Sequence, residues 1–222
     1  MTVDTCFQLI SYCVNKYQGS QPSPEEFNLI INQAQLSYAQ WLCGQYETYQ
    51  PQKAQSRVSW GQNENVRESL TPIIYGYILN ADITGLAAYP YDYQKMDAMT
   101  TIYGYNRIRF ASQNRLFSYI NSAIEPVATN PIYLVKDIGF QFYPVNIGQA
   151  NLSYVRTPPD IVWRYTLDAD DLPVYNPATS VDPVWADLDI LEISVRALRL
   201  VGVNLQSNVL SQYADQIKNA GQ

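Results

Sequence analysis

Apolar residues recur with a helical period at both ends of the chain and with a two-residue period in its middle. From Thr2 to Tyr17 the stripe is Cys6, Phe7, Ile10, Cys13, Val14 and Tyr17. Gly19 to Pro22 interrupts it. Ser23-Pro24-Glu25-Glu26 then predicts a helix start, with Ser23 as N-cap, Pro24 in the first turn and Glu26 closing a capping box. Phe27, Ile30, Ile31, Ala34, Tyr38, Trp41 and Leu42 carry that helix to about Tyr46. The two helices read as an antiparallel hairpin burying facing stripes. Gln50 to Asn65 is polar and reads as a loop holding an isolated Trp60. Val66 to Leu79 repeats a helical pattern through Leu70, Ile73, Ile74, Tyr77 and Ile78, despite Pro72 inside it.

The period changes after Thr84. Met99 to Phe110 is strand material, and Tyr89, Tyr91 and Tyr93 alternate so as to share one face if extended. Ser112 caps a short helix, Gln113 to Ile124, with Leu116, Phe117, Ile120 and Ala123 inward. Strands are expected at Ile132–Val135, Phe140–Tyr143, Leu152–Arg156 and Ile161–Tyr165, and their closeness predicts an antiparallel meander. Pro158-Pro159 marks an edge or a passage between strands. Leu167 to Val181 reads as an acidic, proline-bearing loop. Asp182-Pro183 opens another helix with an a/d-like seam of Val184, Leu188, Leu191, Val195 and Leu198 that stops at Gly202. Leu205 to Lys218 is a last helix. The expected fold class is α+β: N- and C-terminal helices packed together around a small antiparallel β module. Its parts are residues 1–83, helical; 84–181, β-rich with one short helix; and 182–222, helices returning to the first part.

Composition narrows the chemistry. The 222 residues contain no histidine, which removes the commonest general base and metal ligand. Charged residues are 15%, against about 25% in ordinary domains. Nineteen tyrosines and many Asn and Gln stand in their place, a balance resembling the core of a protein–protein interface. The net charge of −6 is ill suited to gripping phosphates. No stretch is apolar for the ~20 residues of a membrane span. The opening residues hold neither a basic run nor a small-residue cleavage site, so no secretory leader is expected and synthesis in the cytoplasm follows.

Three candidate sites compete with simpler explanations. Cys6, Cys13 and Cys43 lack a CxxC pair and any histidine, so they read as small buried hydrophobes, not as a metal or redox centre. Asp168, Asp170 and Asp171 offer hard oxygen ligands for a divalent metal, but the cluster lacks the remaining features of a calcium loop and reads as an acidic turn. Arg107, Arg109, Arg115, Arg156 and Arg164 lie among aromatics, as in a single-strand binding groove, yet the acidic chain favours ion pairs and cation–π contacts. Gly139 and Gly148 are isolated, so no phosphate-binding loop is present. Serine and cysteine nucleophiles have no histidine beside them. An enzyme is therefore not expected, and nothing calls for a cofactor or a metal.

The phrases Pro131-Ile132-Tyr133, Phe140-Gln141-Phe142-Tyr143-Pro144 and Leu152-Ser153-Tyr154-Val155-Arg156-Thr157-Pro158 resemble a signature in virion proteins of tailed bacteriophages. An acidic loop follows, then Ala197 to Leu205 and Gln212 to Ala214. The layout resembles head-to-tail connector adaptors, or neck ring proteins, of short-tailed phages, including the crAss-like group. The resemblance covers roughly residues 112 to 222 in phrases and the N-terminal helices by layout. It implies a non-enzymatic subunit of a closed ring, twelve copies of itself, below the portal protein and against neighbouring ring or tail proteins. The genome would pass through without specific binding, no membrane would be involved, and the location would be the virion neck. Candidate interface residues are Trp60, Tyr89, Tyr91 and Tyr93, from predicted loops, with Tyr143 and Arg156 from the phrases themselves. Two other classes compete: a monomeric carbohydrate- or ligand-binding module using the same tyrosines, and a metal-dependent hydrolase using the Asp168 cluster.

Overall fold

Ser23 and Glu26 form the expected reciprocal cap: Ser23 N donates to Glu26 Oε2 at 2.9 Å and Glu26 N to Ser23 Oγ at 3.2 Å. The computed structural model that shows this describes residues 1–16, 21–52, 59–102, 106–120 and 125–202; the side chains of 46–64 are not described. The predicted helix Leu205–Lys218 lies outside the described residues, as do Tyr17, Gly104 and Ala123. The chain divides into two compact units. One holds 1–72 and 158–222, the other Ile73–Thr157, so the boundaries fall near Pro72 and Thr157 and not at 83 and 181.

The first unit contains α1 (Val3–Lys16), α2 (Pro24–Gln52), α3 (Ser59–Leu70) and, late in the chain, α5 (Asp187–Leu200). α2 extends past the expected Tyr46, and α3 occupies part of the predicted 50–65 loop, Trp60 included. α2 packs on α3 and α5, and α1 also packs on α5. α5 is thus the helix on which both α1 and α2 pack, in place of the expected facing of α1 and α2. Phe7 of α1 meets Phe27 of α2 edge-on at 5.1 Å.

α5 departs from its predicted start and face. Asp182 does not open it; its Oδ1 accepts from Val3 N at 2.8 Å and caps α1 instead. Asp187 and Asp189 occupy the first turn of α5, where acids favour the helix dipole. The buried face is Asp189, Ile190, Ile193, Ser194, Ala197 and Leu198. Leu188 and Leu191, two of the five residues of the predicted seam, are 63% and 40% exposed. The helix is apolar nearly all round, so apolar spacing alone does not choose a face. A polar contact does: Tyr38 of α2 donates to Asp189 Oδ1 at 2.5 Å, and Ser194 on the same side satisfies its hydroxyl within the helix, on Ile190 O at 2.8 Å. Gly202 ends the helix as expected, with φ +83°.

Between the helices an extended segment is held by side chains of α2. Asn28 accepts from Trp163 N at 2.7 Å and donates to Trp163 O at 3.1 Å. Asn32 does the same for Ile161, at 2.8 and 2.9 Å. Gln35 Nε2 donates to Pro159 O at 3.1 Å. Residues 159, 161 and 163 are alternate positions of an extended chain, and 28, 32 and 35 share one face of a helix. Three primary amides therefore do what a neighbouring strand does. On the segment's other side Val162 exchanges hydrogen bonds with Val181. The predicted 161–165 strand is this segment, and the loop after it forms a hairpin, β8 (Tyr165–Leu167) with β9 (Pro173–Tyr175). Those labels follow the seven strands of the second unit.

The second unit contains β1 (Ile74–Asn80), β2 (Leu86–Ala88), β3 (Tyr93–Thr101), β4 (Arg109–Phe110), α4 (Gln113–Ile120), β5 (Ile132–Val135), β6 (Gly139–Tyr143) and β7 (Gln149–Arg156). The predicted Val66–Leu79 helix is half wrong. The α-helix ends at Leu70, a 3-10 turn over Thr71–Ile73 carries Pro72, and the β-branched and aromatic Ile-Tyr-Gly-Tyr-Ile run after it enters a sheet. Neither is the predicted meander formed. β5 and β6 are a hairpin, but β7 leaves that sheet and becomes the centre of another, in the order β1-β7-β3. The second sheet is β2-β6-β5-β4, antiparallel except where β4 runs parallel to β5.

The two sheets share one core of Leu79, Met99, Leu152 and Tyr154 from the first and Ala87, Tyr133, Phe140 and Phe142 from the second. Gly139 lets β2 and β6 approach, since a Cβ there would collide with the Ala87 carbonyl. Ile132 and Leu134 face the other way and meet Ala111 and Leu116, so α4 covers the back of the second sheet. Phe117 and Ile120, expected inward, are 63% and 41% exposed. The layers are α4, the β2-β6-β5-β4 sheet, then the β1-β7-β3 sheet.

Replacing Asn32 by Leu keeps the volume of the α2 face but strands both polar groups of Ile161. Unfolding free energy, measured by urea denaturation of the full chain, falls by about 1–3 kcal/mol for each group left unpaired. Gln33→Leu, on the exposed side of the same helix, changes it by less than about 0.5 kcal/mol.

Candidate interaction surface

The sequence-predicted interface tyrosines do not form one surface. Tyr89 and Tyr93 stack on each other at 4.8 Å and both meet Phe140 edge-on. Tyr89 also donates its hydroxyl to Lys136 O at 2.7 Å. Both are partly buried and packed against the core of the unit. Tyr91 sits in the turn between them, fully exposed, so the three do not alternate along a strand. Tyr89, Tyr91 and Tyr93 therefore do not share one exposed face. Tyr143 is half-buried against the cluster beneath α4. Trp60 lies in α3, beyond the described side chains. The many tyrosines have an internal use: Tyr75, Tyr154, Tyr93, Tyr89, Phe140, Tyr133 and Phe110 form a continuous series of ring contacts between 4.8 and 6.1 Å. Its two ends are exposed, Tyr75 on β1 and Phe110 on β4.

Arg156 lies at the Tyr75 end of this series. Its guanidinium carbon is 5.8 Å from the Tyr75 ring centre. Its Nε is buried and has no hydrogen-bond partner among the described residues. The other arginines of the predicted cluster are elsewhere. Arg107 bridges Thr100 of β3, Arg109 pairs with Asn130 beside the second sheet, Arg115 is exposed on α4, and Arg164 belongs to the other unit.

The acidic cluster is the turn of the β8–β9 hairpin. Asp168 Oδ1 accepts from Asp170 N and Leu172 N, both at 2.9 Å, and Asp171 takes φ +57°. One carboxylate is therefore committed to the turn. Among the described residues no group of three His, Cys, Asp or Glu could hold a metal. The cysteines form no disulfide, and burial pushes the Cys6 thiol up to about 11, which keeps it protonated and unreactive. No helix of the described residues is long and apolar enough to cross a membrane.

The surface that sequence reasoning missed is β1. It is one edge of the β1-β7-β3 sheet. Tyr75, Tyr77 and Ile78 on it are 50%, 44% and 52% exposed, and its seven residues carry no charge and no proline. The other edges of this unit are guarded. β3 carries Lys95 and Asp97 and two register shifts, and residues 106–108 run along its outer side. β2 has three residues and β4 two. Charges, bulges, cover and shortness are the ways proteins keep sheet edges from pairing; among the described residues β1 has none of them. Beside it the outer sheet face holds an open concavity of about 380 Å³, lined in part by Gly76, Ile78, Ala98, Thr100, Asn151 and Ser153. The concavity exists because Gly76, Ala98 and Ser153 are small. In the sequence the signal was an uncharged β-branched and aromatic run directly after a proline.

No protein-family model matches the chain, and no characterised protein matches it either.

Exposure separates the two tyrosines. Tyr93→Ala lowers the unfolding free energy by about 3–5 kcal/mol, as for a large core aromatic, while Tyr91→Ala changes it by less than about 0.5 kcal/mol. Burial pushes the Tyr93 phenol up from 10.0 to about 12. The folded state thus keeps a proton that the unfolded chain loses near pH 10. The contribution of Tyr93 to stability is constant below that pH and is lost as pH rises toward 12. Denaturation midpoints from pH 9 to 12 test this: Tyr93→Phe flattens the decline.

Proposed function

We propose that this chain is a non-enzymatic structural subunit of a phage head-to-tail connector, a ring component joining portal to tail. The observation that carries the reading is the presence of two unrelated apolar surfaces, one in each compact unit. The first is the unguarded β1 edge with Tyr75, Tyr77 and Ile78. The second is the outer side of α5, where Leu188 and Leu191 are 63% and 40% exposed. A cyclic ring needs two different patches per subunit, because each copy meets its two neighbours through different surfaces. A monomer with such surfaces exposes itself to association.

The resemblance of the 131–158 phrases to virion proteins supplies the specific form: a ring of about twelve copies in the virion neck, on the portal protein and against a neighbouring ring or tail protein. The acidic chain suits a passage for DNA, since a wall of net charge −6 per subunit repels phosphates and gives no grip that would stall the genome. No cofactor, metal or membrane enters this role.

The test is assembly. Purified full-length chain, alone and with the portal protein of the same phage, is examined by mass photometry and by particle classification in the electron microscope. Closed rings seated on the portal are the expected result. A chain that remains strictly monomeric with the portal present overturns the reading.

A further inference from the structure

We infer that in the free protein the β1 edge is closed by β1 of a second copy, antiparallel about a two-fold axis through Tyr77. The inference rests on reading β1 as an assembly edge and names what occupies it before any larger assembly forms.

The occupant follows from the edges available. Among its described residues a second copy offers β3, β2, β4, β8, β9 and β1. The first is bulged, charged and flanked by residues 106–108, β4 has two residues, and β2, β8 and β9 have three each. Only β1 presents seven residues with nothing along its outer side among the described residues. Because the strand is uncharged, self-pairing brings no like charges together, which is the usual obstacle to a strand meeting its own copy.

The register follows from the sequence of the strand. All seven residues of Ile74–Asn80 find partners only when Tyr77 faces its own copy. That register sets Ile74 opposite Asn80, Tyr75 opposite Leu79 and Gly76 opposite Ile78. Paired residues project from the same face of a sheet. The half-exposed Ile78 of one copy therefore lies beside Gly76 of the other, where the concavity of about 380 Å³ begins. On the opposite face the two Tyr77 rings come together. The same glycine that opens the hollow in one copy receives the isoleucine of its partner, and the two three-stranded sheets become one of six.

A residue on the axis gives the sharpest test. Directly opposed Cα atoms in an antiparallel pair lie about 4.5 or 5.5 Å apart, inside the span a disulfide bridges. Full-length Tyr77→Cys, treated with diamide in the absence of portal protein, is expected to give a disulfide-linked dimer on a non-reducing gel. Wild type and Tyr91→Cys, treated alike, are expected not to. By sedimentation equilibrium, Ile78→Lys weakens the dimer at least tenfold while its circular dichroism and melting temperature match wild type, because residue 78 is half-exposed in one copy. Wild type sedimenting as a monomer at 100 μM, failure of Tyr77→Cys to cross-link, or a dimer indifferent to Ile78→Lys would overturn the inference. A wild-type monomer that nevertheless forms rings on the portal overturns only this pairing and assigns β1 to a strand from another protein. Failure to form rings while the Tyr77→Cys dimer appears overturns the connector reading alone.

Discussion

The helical unit depends on a polar contact at its centre. Asn28, Asn32 and Gln35 hold the backbone of residues 159–163 along one face of α2. An extended chain laid against a helix normally leaves peptide groups unpaired, because a helix has none to offer sideways. Here side-chain amides supply both donor and acceptor at alternate residues. Once the segment is held, Ile161 and Trp163 are committed to the core. The Trp163 ring stacks on Phe7 at 4.4 Å, and its Nε1 donates to Asp4 at 3.0 Å. The same amide row continues inward, where Trp185 Nε1 donates to Gln35 Oε1 at 3.3 Å. Helices from the start of the chain and a segment from its last third are thereby joined by directional bonds as well as by apolar contact, and this restricts the ways an apolar bundle could slip.

This arrangement was illegible in the sequence for a definite reason. Asn28, Asn32 and Gln35 recur at i, i+4 and i+7, the spacing of a buried stripe, but polar residues at that spacing read as a solvated face. What separates the two cases is a partner 124 to 135 residues away, which periodicity does not contain. The same limit applies to α5. Its apolar residues surround the helix, and the side turned inward is the one where Asp189 meets Tyr38 of α2. The cap at Ser23 and Glu26 was legible because all its atoms lie within four residues. Phe140 and Phe142 were legible because a strand between two layers leaves little freedom in which side chains face inward.

β1 shows a different limit. Leu70, Ile73, Ile74, Tyr77 and Ile78 satisfy a helical period, and residues 74–80 also form a good strand. Pro72 decides between them, and it does so in the middle of the pattern. The tyrosine-rich composition was open to two uses in the same way. Tyr89, Tyr93, Tyr133 and Tyr154 pack in or against the sandwich interior, where a phenol supplies large apolar area and one hydroxyl that a nearby acceptor satisfies, as Asp92 does for Tyr154 at 2.7 Å. Both ends of the ring series are exposed, and one of them is Tyr75 on the unguarded strand.

The β unit is thus finished on every side but one. α4 closes the back of one sheet, bulges and flanking residues close the β3 edge, and shortness closes β2 and β4. The outer face of the β1-β7-β3 sheet and the β1 edge adjoin each other, and both owe their openness to the same small residues. A surface left unfinished by chance would carry scattered charge, as most exposed strands do. Seven uncharged residues beside a hollow floored by glycine, alanine and serine make a surface whose polar backbone and apolar side chains are both satisfied by a single added strand. An edge with those properties is costly to leave in water and specific in what it accepts. That combination is what an assembly subunit requires of the surface through which it first associates.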